Sequence, residues 1–348
     1  MLDFDNRLCQ MKPDLVSVVV VNWNGMGYVE ECLESLRQQS HSPIELIVVD
    51  NGSTDGSRAW LRRASGLRLV ELDSNRGFAA GVNAGIAAAR GSLVALLNND
   101  AVADPAWLEQ LAAPMRDPQV GMAASKILFY DRRSVIDKAG HLFYWDGLNR
   151  GRGAGEYDRG QFDREEEVFF PDGCAALYRR RMLDDIGLFD EQFFAYGDDA
   201  DLGLRARWRG WKCMYAPGAM VYHRHSSSLG KYSPQKAFLV ERNRLWVALK
   251  LLPWPLLVAS PALTLWRFGW HIRSMFSRRG LAGGVAREHS GWGLLAAGLR
   301  AYASGLAGSP RILRKRRQVL RNRRLSNREF FQLLQKYRIS ARELALRD

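Results

Sequence analysis

The sequence predicts an α/β protein with a mostly parallel, Rossmann-like sheet flanked by helices and a helical C-terminal extension. Three observations predict it. Short Val- and Ile-rich runs alternate with amphipathic stretches through the first hundred residues, each run ends in Asn, Asp or Gly, and the C-terminal third shifts to Leu, Trp, Ala and Arg. Strand and helix in alternation build right-handed crossovers, and ligands bind beyond the strand ends of such a sheet.

Residues 16–21 are β-branched and end in Asn22-Trp23-Asn24-Gly25; residues 46–49 end in Asp50-Asn51-Gly52-Ser53-Thr54-Asp55. Runs this short, bounded by turn residues, read as buried parallel strands. Helices are predicted over 28–39, with Val29, Cys32, Leu33 and Leu36 on the apolar face, over 57–64, and over the Ala-rich 79–90. Gly77, Gly81 and Gly85 recur every four residues, and the last two open a groove for close packing on the sheet.

The run Leu96-Leu97 stops at Asn98-Asn99-Asp100. A buried strand ending in a carboxylate flanked by carboxamides sets oxygen ligands where a divalent cation and a phosphate can meet. A helix is predicted over 106–115, an extended run over 121–127, a variable and partly mobile loop over 130–167, and a strand over 169–178.

Aromatic residues then lead through Gly197 into Asp198-Asp199-Ala200-Asp201 and a helix reaching Trp208. Acids at a helix N-terminus serve as caps, and capping with solvation suits Asp201. The preceding aromatics draw Asp198 and Asp199 into a partly buried site, where a carboxylate can act as general base.

With 348 residues, 47% of them apolar and 25% charged, the chain has the composition of a globular protein with one catalytic domain and an extension. Cys9, Cys32, Cys174 and Cys213 lack metal-ligand spacing, and Cys32 reads as a buried free thiol in a reducing setting. The first fifteen residues mix both charge signs without an apolar core, so no secretory signal is predicted.

The net charge of +13 is concentrated near the C-terminus, in Arg311, Arg314, Lys315, Arg316, Arg317, Arg321, Arg323, Arg324 and Arg328. An anionic membrane surface is the predicted partner. Nucleic acid is set aside, because the run carries neither a recognisable DNA-binding motif nor interleaved aromatics. Residues 245–268 are apolar, but Pro253, Pro255 and Pro261 argue against a spanning helix. Trp246, Trp254, Trp266 and Trp270 suit a headgroup boundary. The segment is predicted to be interfacial or re-entrant; the alternative is a helical hairpin packed on the catalytic domain or on a second copy.

These motifs together resemble the inverting, nucleotide-sugar-dependent glycosyltransferases of family 2, with a GT-A fold, and within them the bacterial dTDP-rhamnosyltransferase branch. The resemblance covers roughly residues 15–230. It rests on residues 18–25, 49–56, 75–85, 98–100 and 197–202, in family order and at family spacing. It implies a lead over 1–14, a catalytic domain over 15–235 with nucleotide-binding (15–100) and acceptor-binding (101–235) halves, and a membrane-associating or oligomerising extension over 236–348.

The resemblance also implies roles. Asp50 corresponds to the acid that accepts the imide N–H of uracil or thymine, Asn22 and Asn24 to the first nucleotide loop, and Asn51, Arg76 and Asn99 to donor contacts. Asn98-Asn99-Asp100 matches an Asp-x-Asp metal motif whose first acid is replaced, so Mg2+ or Mn2+ would rest on Asp100, with His223 nearby; His225 is a weaker match. Asp199 matches the general base, with Asp198 where Glu is usual.

The implied partners are a dTDP- or UDP-sugar donor and a lipid-linked or oligosaccharide acceptor, at the cytoplasmic side of the bacterial inner membrane. A non-catalytic sugar-nucleotide-binding scaffold is the alternative from another class, and retention of Asp199 argues against it. A nucleotidyltransferase ranks last, since Asn22-Trp23-Asn24-Gly25 lacks a basic triphosphate loop.

Overall fold

The computed structural model describes residues 14–224, 233–277 and 291–346. Residues 1–13 of the lead, with Cys9, and His225 lie outside the described residues. From the N-terminal side, β1 (Val16–Asn22), α1 (Val29–Arg37), β2 (Ile44–Asn51), α2 (Ser57–Leu61), β3 (Arg68–Leu72), α3 (Phe78–Ala88) and β4 (Leu93–Leu97) alternate. Their strands lie in the order β3-β2-β1-β4, all parallel. Strand β3 escaped the sequence reading, because Arg68-Leu69-Val70-Glu71-Leu72 is short and half-buried at the sheet edge.

The helices behave as their patterns require. Val29, Cys32, Leu33 and Leu36 of α1 are buried. A Cβ on Gly81 would stand 2.7 Å from Val21 and one on Gly85 2.3 Å from Val19, so α3 lies on β1 at a distance only glycine allows.

The second half follows as β5 (Ala101–Ala103), α4 (Trp107–Ala112), β6 (Val120–Phe129), β7 (Ile136–Lys138), β8 (His141–Phe143), β9 (Asn149–Gly151), β10 (Glu166–Val168), β11 (Ala175–Arg179), α5 (Arg180–Ile186), α6 (Asp198–Trp208) and β12 (Lys212–His223). The sheet continues β4-β11-β6-β12-β10, with β11 antiparallel to both neighbours and β12 parallel to β6. Two expectations are corrected here. Residues 130–167 are not one loop: four short strands, β7 to β10, run between turns there, held by pairing to β6, to β12 and to each other. The strand expected over 169–178 begins only at Ala175; Phe169 and Phe170 are core residues instead.

Helices α7 (Pro234–Leu251), α8 (Trp254–Ser277), α9 (Gly291–Arg321), α10 (Asn327–Lys336) and α11 (Ala341–Leu346) complete the chain. No described helix is long and apolar enough to cross a membrane. Helices α7, α9 and α10 share an aromatic core with α6, with Phe143 of β8 and with Phe169, Phe170 and Phe193: Trp208 of α6 stacks on Phe330 of α10 at 3.7 Å, and Trp246 packs on Phe193. Trp246 is therefore a core residue rather than a boundary one, donating its indole N–H to the Gly305 carbonyl. Trp254 and Trp266 are exposed.

Charge also locks this junction. Lys250 lies between Asp190 at 2.7 Å and Asp201 at 2.6 Å, Lys315 reaches Asp190, and Arg205 pairs with Asp201. Asp201 is thus fully buried in an ion-pair network that joins α6 to α7, not a solvated cap. Within the C-terminal basic run, Lys315 and Arg316 face inward, whereas Arg311, Arg314, Arg317 and Arg321 are exposed.

Candidate active site

Strand tips β1, β2 and β4 bring the first three polar turns together. The Asn22 carboxamide is fully buried; it donates to Asp50, Ser53 and Ser57 and accepts from Asn99 at 3.0 Å. Asp50 is also fully buried and accepts from Arg58 at 2.7 Å and from the Ser53 amide. Burial opposes ionisation of Asp50, but bonds from Ser53 and Arg58 outweigh it and lower its pKa. Asn24, at φ +50°, receives the Thr54 amide. Asn51 faces the crevice and ties Arg76 N and the Gly77 carbonyl to the sheet. Arg76 itself is exposed and 3.7 Å from Glu191.

A single cavity of about 1350 Å³ collects Asn51, Asn99, Asp100, Asp198, Asp199 and His223. Asn22, Asn24, Asp50 and Arg76 do not line it; the first three instead bind the loops that do.

The pairing of β5 with β12 sets His223 opposite Ala101, and so beside Asp100. Nε2 of His223 lies 3.3 Å from Oδ1 of Asp100, and Nδ1 lies 2.9 Å from Asp137. Burial works against a charged imidazole here, yet Cys174 and the two carboxylates raise the His223 pKa well above its ordinary value. Fitness for a cation rests on this donor set. An imidazole and a carboxylate face each other, and a carboxylate behind fixes the ring orientation, as in many metal sites.

Asp198 and Asp199 open α6 after a tightly bent turn in which Phe194 and Tyr196 hold positive φ. Asn243 of α7 secures that turn, its amide lying 2.6 to 2.9 Å from the carbonyls of Phe193, Ala195 and Tyr196. Gly77 is required opposite it: at φ +87° a Cβ would meet the Phe194 carbonyl at 2.5 Å. Burial, with Asp172 nearby, raises the Asp199 pKa against the pull of His141 and Lys138. Burial and Asp199 raise that of Asp198 further.

His141 was not foreseen. Its Nε2 lies 3.0 Å from Asp172 and 3.7 Å from Asp199, and its ring stacks on Phe170. Lys138 pairs with Asp172 at 2.9 Å, and with His141 it holds Asp172 well below the usual carboxylate range despite burial. His141, Asp172 and Asp199 form the described His/Asp cluster in which donor atoms lie within 4.8 Å of one another. Asp137, Lys138 and His141 all come from the stretch expected to be a loop. Their signal was the isolated Asp137-Lys138 and His141 among glycines, which periodicity does not weigh.

Residues 17–187 match the model of glycosyl transferase family 2, so the chain carries a domain of this family of enzymes. It is similar to N-acetylglucosaminyl-diphospho-decaprenol L-rhamnosyltransferase of Mycobacterium tuberculosis, 27% identical over 266 residues that cover 67% of this chain and 86% of the relative. It is also similar to the O-antigen biosynthesis protein RfbC of Myxococcus xanthus, 29% identical across 61% of this chain and 17% of that one. Among solved structures, GalNAc-T7 with UDP, GalNAc and Mn2+ matches with a TM-score of 0.55 at 15% identity, over 69% of this chain and 48% of that chain. That likeness supports the GT-A fold.

Proposed function

We propose that the chain transfers a sugar with inversion from a dTDP- or UDP-sugar, L-rhamnose from dTDP-rhamnose first, onto a lipid-linked or growing cell-surface glycan. The observation that carries this reading is the placement of Asp199 on the same cavity as the Asn98-Asn99-Asp100 tip and His223. The rhamnosyl donor and the lipid-linked acceptor are supported by the Mycobacterium relative.

In this reading the acceptor hydroxyl gives its proton to Asp199 as its oxygen bonds to the anomeric carbon. The bond from that carbon to the diphosphate breaks on the opposite face, and the nucleoside diphosphate departs with the electron pair. The raised pKa of Asp199 suits a base that works near neutrality. His141, held by Asp172 at 3.0 Å, faces the Asp199 carboxylate at 3.7 Å. Asn51 and Asn99 contact the donor, while Asn22, Asn24 and Asp50 hold the loops in place; Arg76 reaches the donor from the rim.

Asp100 and His223 are the residues that would hold Mg2+ or Mn2+. The cation, when bound, offsets the negative charge gathering on the leaving diphosphate. Exposed Arg311, Arg314, Arg317 and Arg321, with exposed Trp254 and Trp266, support peripheral attachment to the cytoplasmic face of the bacterial inner membrane.

The test is release of nucleoside diphosphate by purified protein from dTDP-rhamnose, UDP-galactose, UDP-glucose and UDP-N-acetylglucosamine, in wild type and Asp199→Asn. Turnover of one donor that is lost in the variant while donor binding persists is expected. Binding without turnover of any donor, with or without acceptor lipid, overturns the reading.

A further inference from the structure

The sheet carries a second cavity at the end away from Asp199. Strands β6 and β12 run parallel toward Phe129 and His223, which line the cavity of Asp199, and they begin at Val120 and Lys212. A cavity of about 480 Å³ lies at those beginnings, where Pro118 and Gln119 lead into β6 and Gly210 and Trp211 lead into β12. Arg181 and Asp185 of α5, with Arg209 and Arg324, complete its lining.

The sequence behind it is Arg179-Arg180-Arg181, where β11 passes into α5. Arg179 donates to the carbonyls of Val120, Met115 and Asp117, and Arg180 to those of Gly91 and Ala89. Those two guanidinium groups tie loops to the sheet. Arg181 is exposed and forms no ion pair among the described residues. Arg324 reaches the same cavity from the linker between α9 and α10, its amide fixed on the Trp208 carbonyl at 2.9 Å. Its side chain likewise forms no ion pair among the described residues.

The acid of this lining, Asp185, is already matched. Arg209 donates to both of its oxygens, and Trp211 donates its indole N–H at 2.9 Å. The bond from Arg209 outweighs burial and, with that from Trp211, lowers the Asp185 pKa. Arg209 also donates to the Asn322 carbonyl. The cavity is therefore left with the positive charges of Arg181 and Arg324. Like charges brought to one cavity repel, and an anion between them removes that repulsion. The guanidinium fork matches the oxygens of a phosphate. The volume falls within the roughly 300 to 1000 Å³ of small-molecule sites and leaves room beside Pro118 and Trp211 for more than the phosphate itself.

We propose that this cavity binds a phosphate-bearing anion, its phosphate paired with Arg181 and Arg324, at a site separate from the one that holds Asp199. Helix α6 joins the two sites: it starts with Asp198 and Asp199 and ends against Arg209, 11 residues and about 16 Å later. Arg181 belongs to the catalytic domain and Arg324 to the C-terminal extension, so the ligand bridges both. The proposal does not depend on the transferase reading.

The experiment titrates the full chain with inorganic diphosphate by calorimetry, in divalent-free buffer at about 0.15 M salt, which screens scattered exposed charges. Wild type is expected to bind, and Arg181→Gln and Arg324→Gln are each expected to weaken binding about fivefold with Tm unchanged. Arg311→Gln, at an exposed arginine of the same basic run that does not line this cavity, is expected to bind as wild type does.

No binding by wild type, affinity untouched by Arg181→Gln and Arg324→Gln, or equal weakening by all three substitutions overturns the proposal. Flotation with phosphatidylglycerol vesicles separates the sources of the phosphate. Vesicle binding lost in Arg181→Gln and Arg324→Gln supports the site with a lipid headgroup in it, and vesicle binding kept in both supports it with a free anion.

Discussion

Nδ1 of His223 lies 2.9 Å from Oδ2 of Asp137, two residues separated by 86 positions and brought together because β7 and β12 flank β6. That contact turns Nε2 toward Asp100. Asp137→Asn is expected to weaken Mn2+ binding by about 10- to 100-fold, read by calorimetry or by the electron paramagnetic resonance of the free ion. Unchanged affinity would mean that the ring needs no such support.

Removing the base should separate chemistry from binding. Asp199→Asn is expected to lower kcat by about 10²- to 10⁴-fold with donor affinity preserved. Because the Asp199 pKa is raised, the acidic limb of the kcat profile belongs above the range of an ordinary exposed carboxylate, with activity lost as pH falls through it. An acidic limb near pH 4, roughly that of an unperturbed Asp, contradicts the assignment.

Asp198 carries a stability signature of its own. Its folded pKa is raised by burial and by Asp199, so the folded state binds the proton more tightly. The resulting stabilisation is complete below the unfolded pKa and is lost as pH rises through the folded one. Asp198→Asn cannot ionise, so its Tm relative to wild type should climb as pH rises from about 4, the range of an ordinary aspartate, toward neutrality. A difference that stays flat across that range in scanning calorimetry argues against a buried, neutralised Asp198.

Asn243 holds a turn in which Phe194 and Tyr196 have unfavourable backbone angles. Conformations of this kind cost about 1 to 3 kcal/mol each and persist only when neighbours impose them. Asn243→Ala should therefore depress kcat, with KM for the donor little changed, as the turn relaxes and Asp199 loses its place. A variant with unaltered kcat would show that the turn keeps its shape unaided.

Lys250 is 3% exposed between two acids, and Asp201 has no exposure at all. Burial opposes it, but Lys250 and Lys315 bring the Asp190 pKa down to about 2. Lys250→Met leaves Asp190 and Asp201 without their shared cation and should cost about 3 to 5 kcal/mol in denaturant unfolding. A loss under about 1 kcal/mol would place the network among ion pairs of little net worth.

Strands β1, β2 and β4 of the parallel half were legible because they are apolar and largely buried and because turn residues mark their ends, whereas half-buried β3 was not. Asn98-Asn99-Asp100 and Asp198-Asp199 were legible as clusters of like groups beside apolar runs. His141 and Asp137 were not, since β7 and β8 are three residues each and are held by pairing to distant partners rather than by their own pattern. Asp201 misled for a similar reason: its partner Lys250 is 49 positions away on another helix, and an acid at a helix start looks solvated until that helix is docked. Trp246 likewise showed an amphipathic residue in an apolar stretch, a pattern shared by a membrane boundary and a core.

The segment after α10 pairs backbone to backbone with β8: the Phe143 amide donates to the Tyr337 carbonyl, and the Ile339 amide to that of Phe143. Two residues before Phe143 in the same strand is His141. Anyone trimming this protein for crystals or expression would therefore remove, along with an apparently dispensable tail, the brace of the strand that presents His141 to Asp199. Shortened forms should be judged by turnover before solubility, and a cut made ahead of Tyr337 is expected to be felt first at the base.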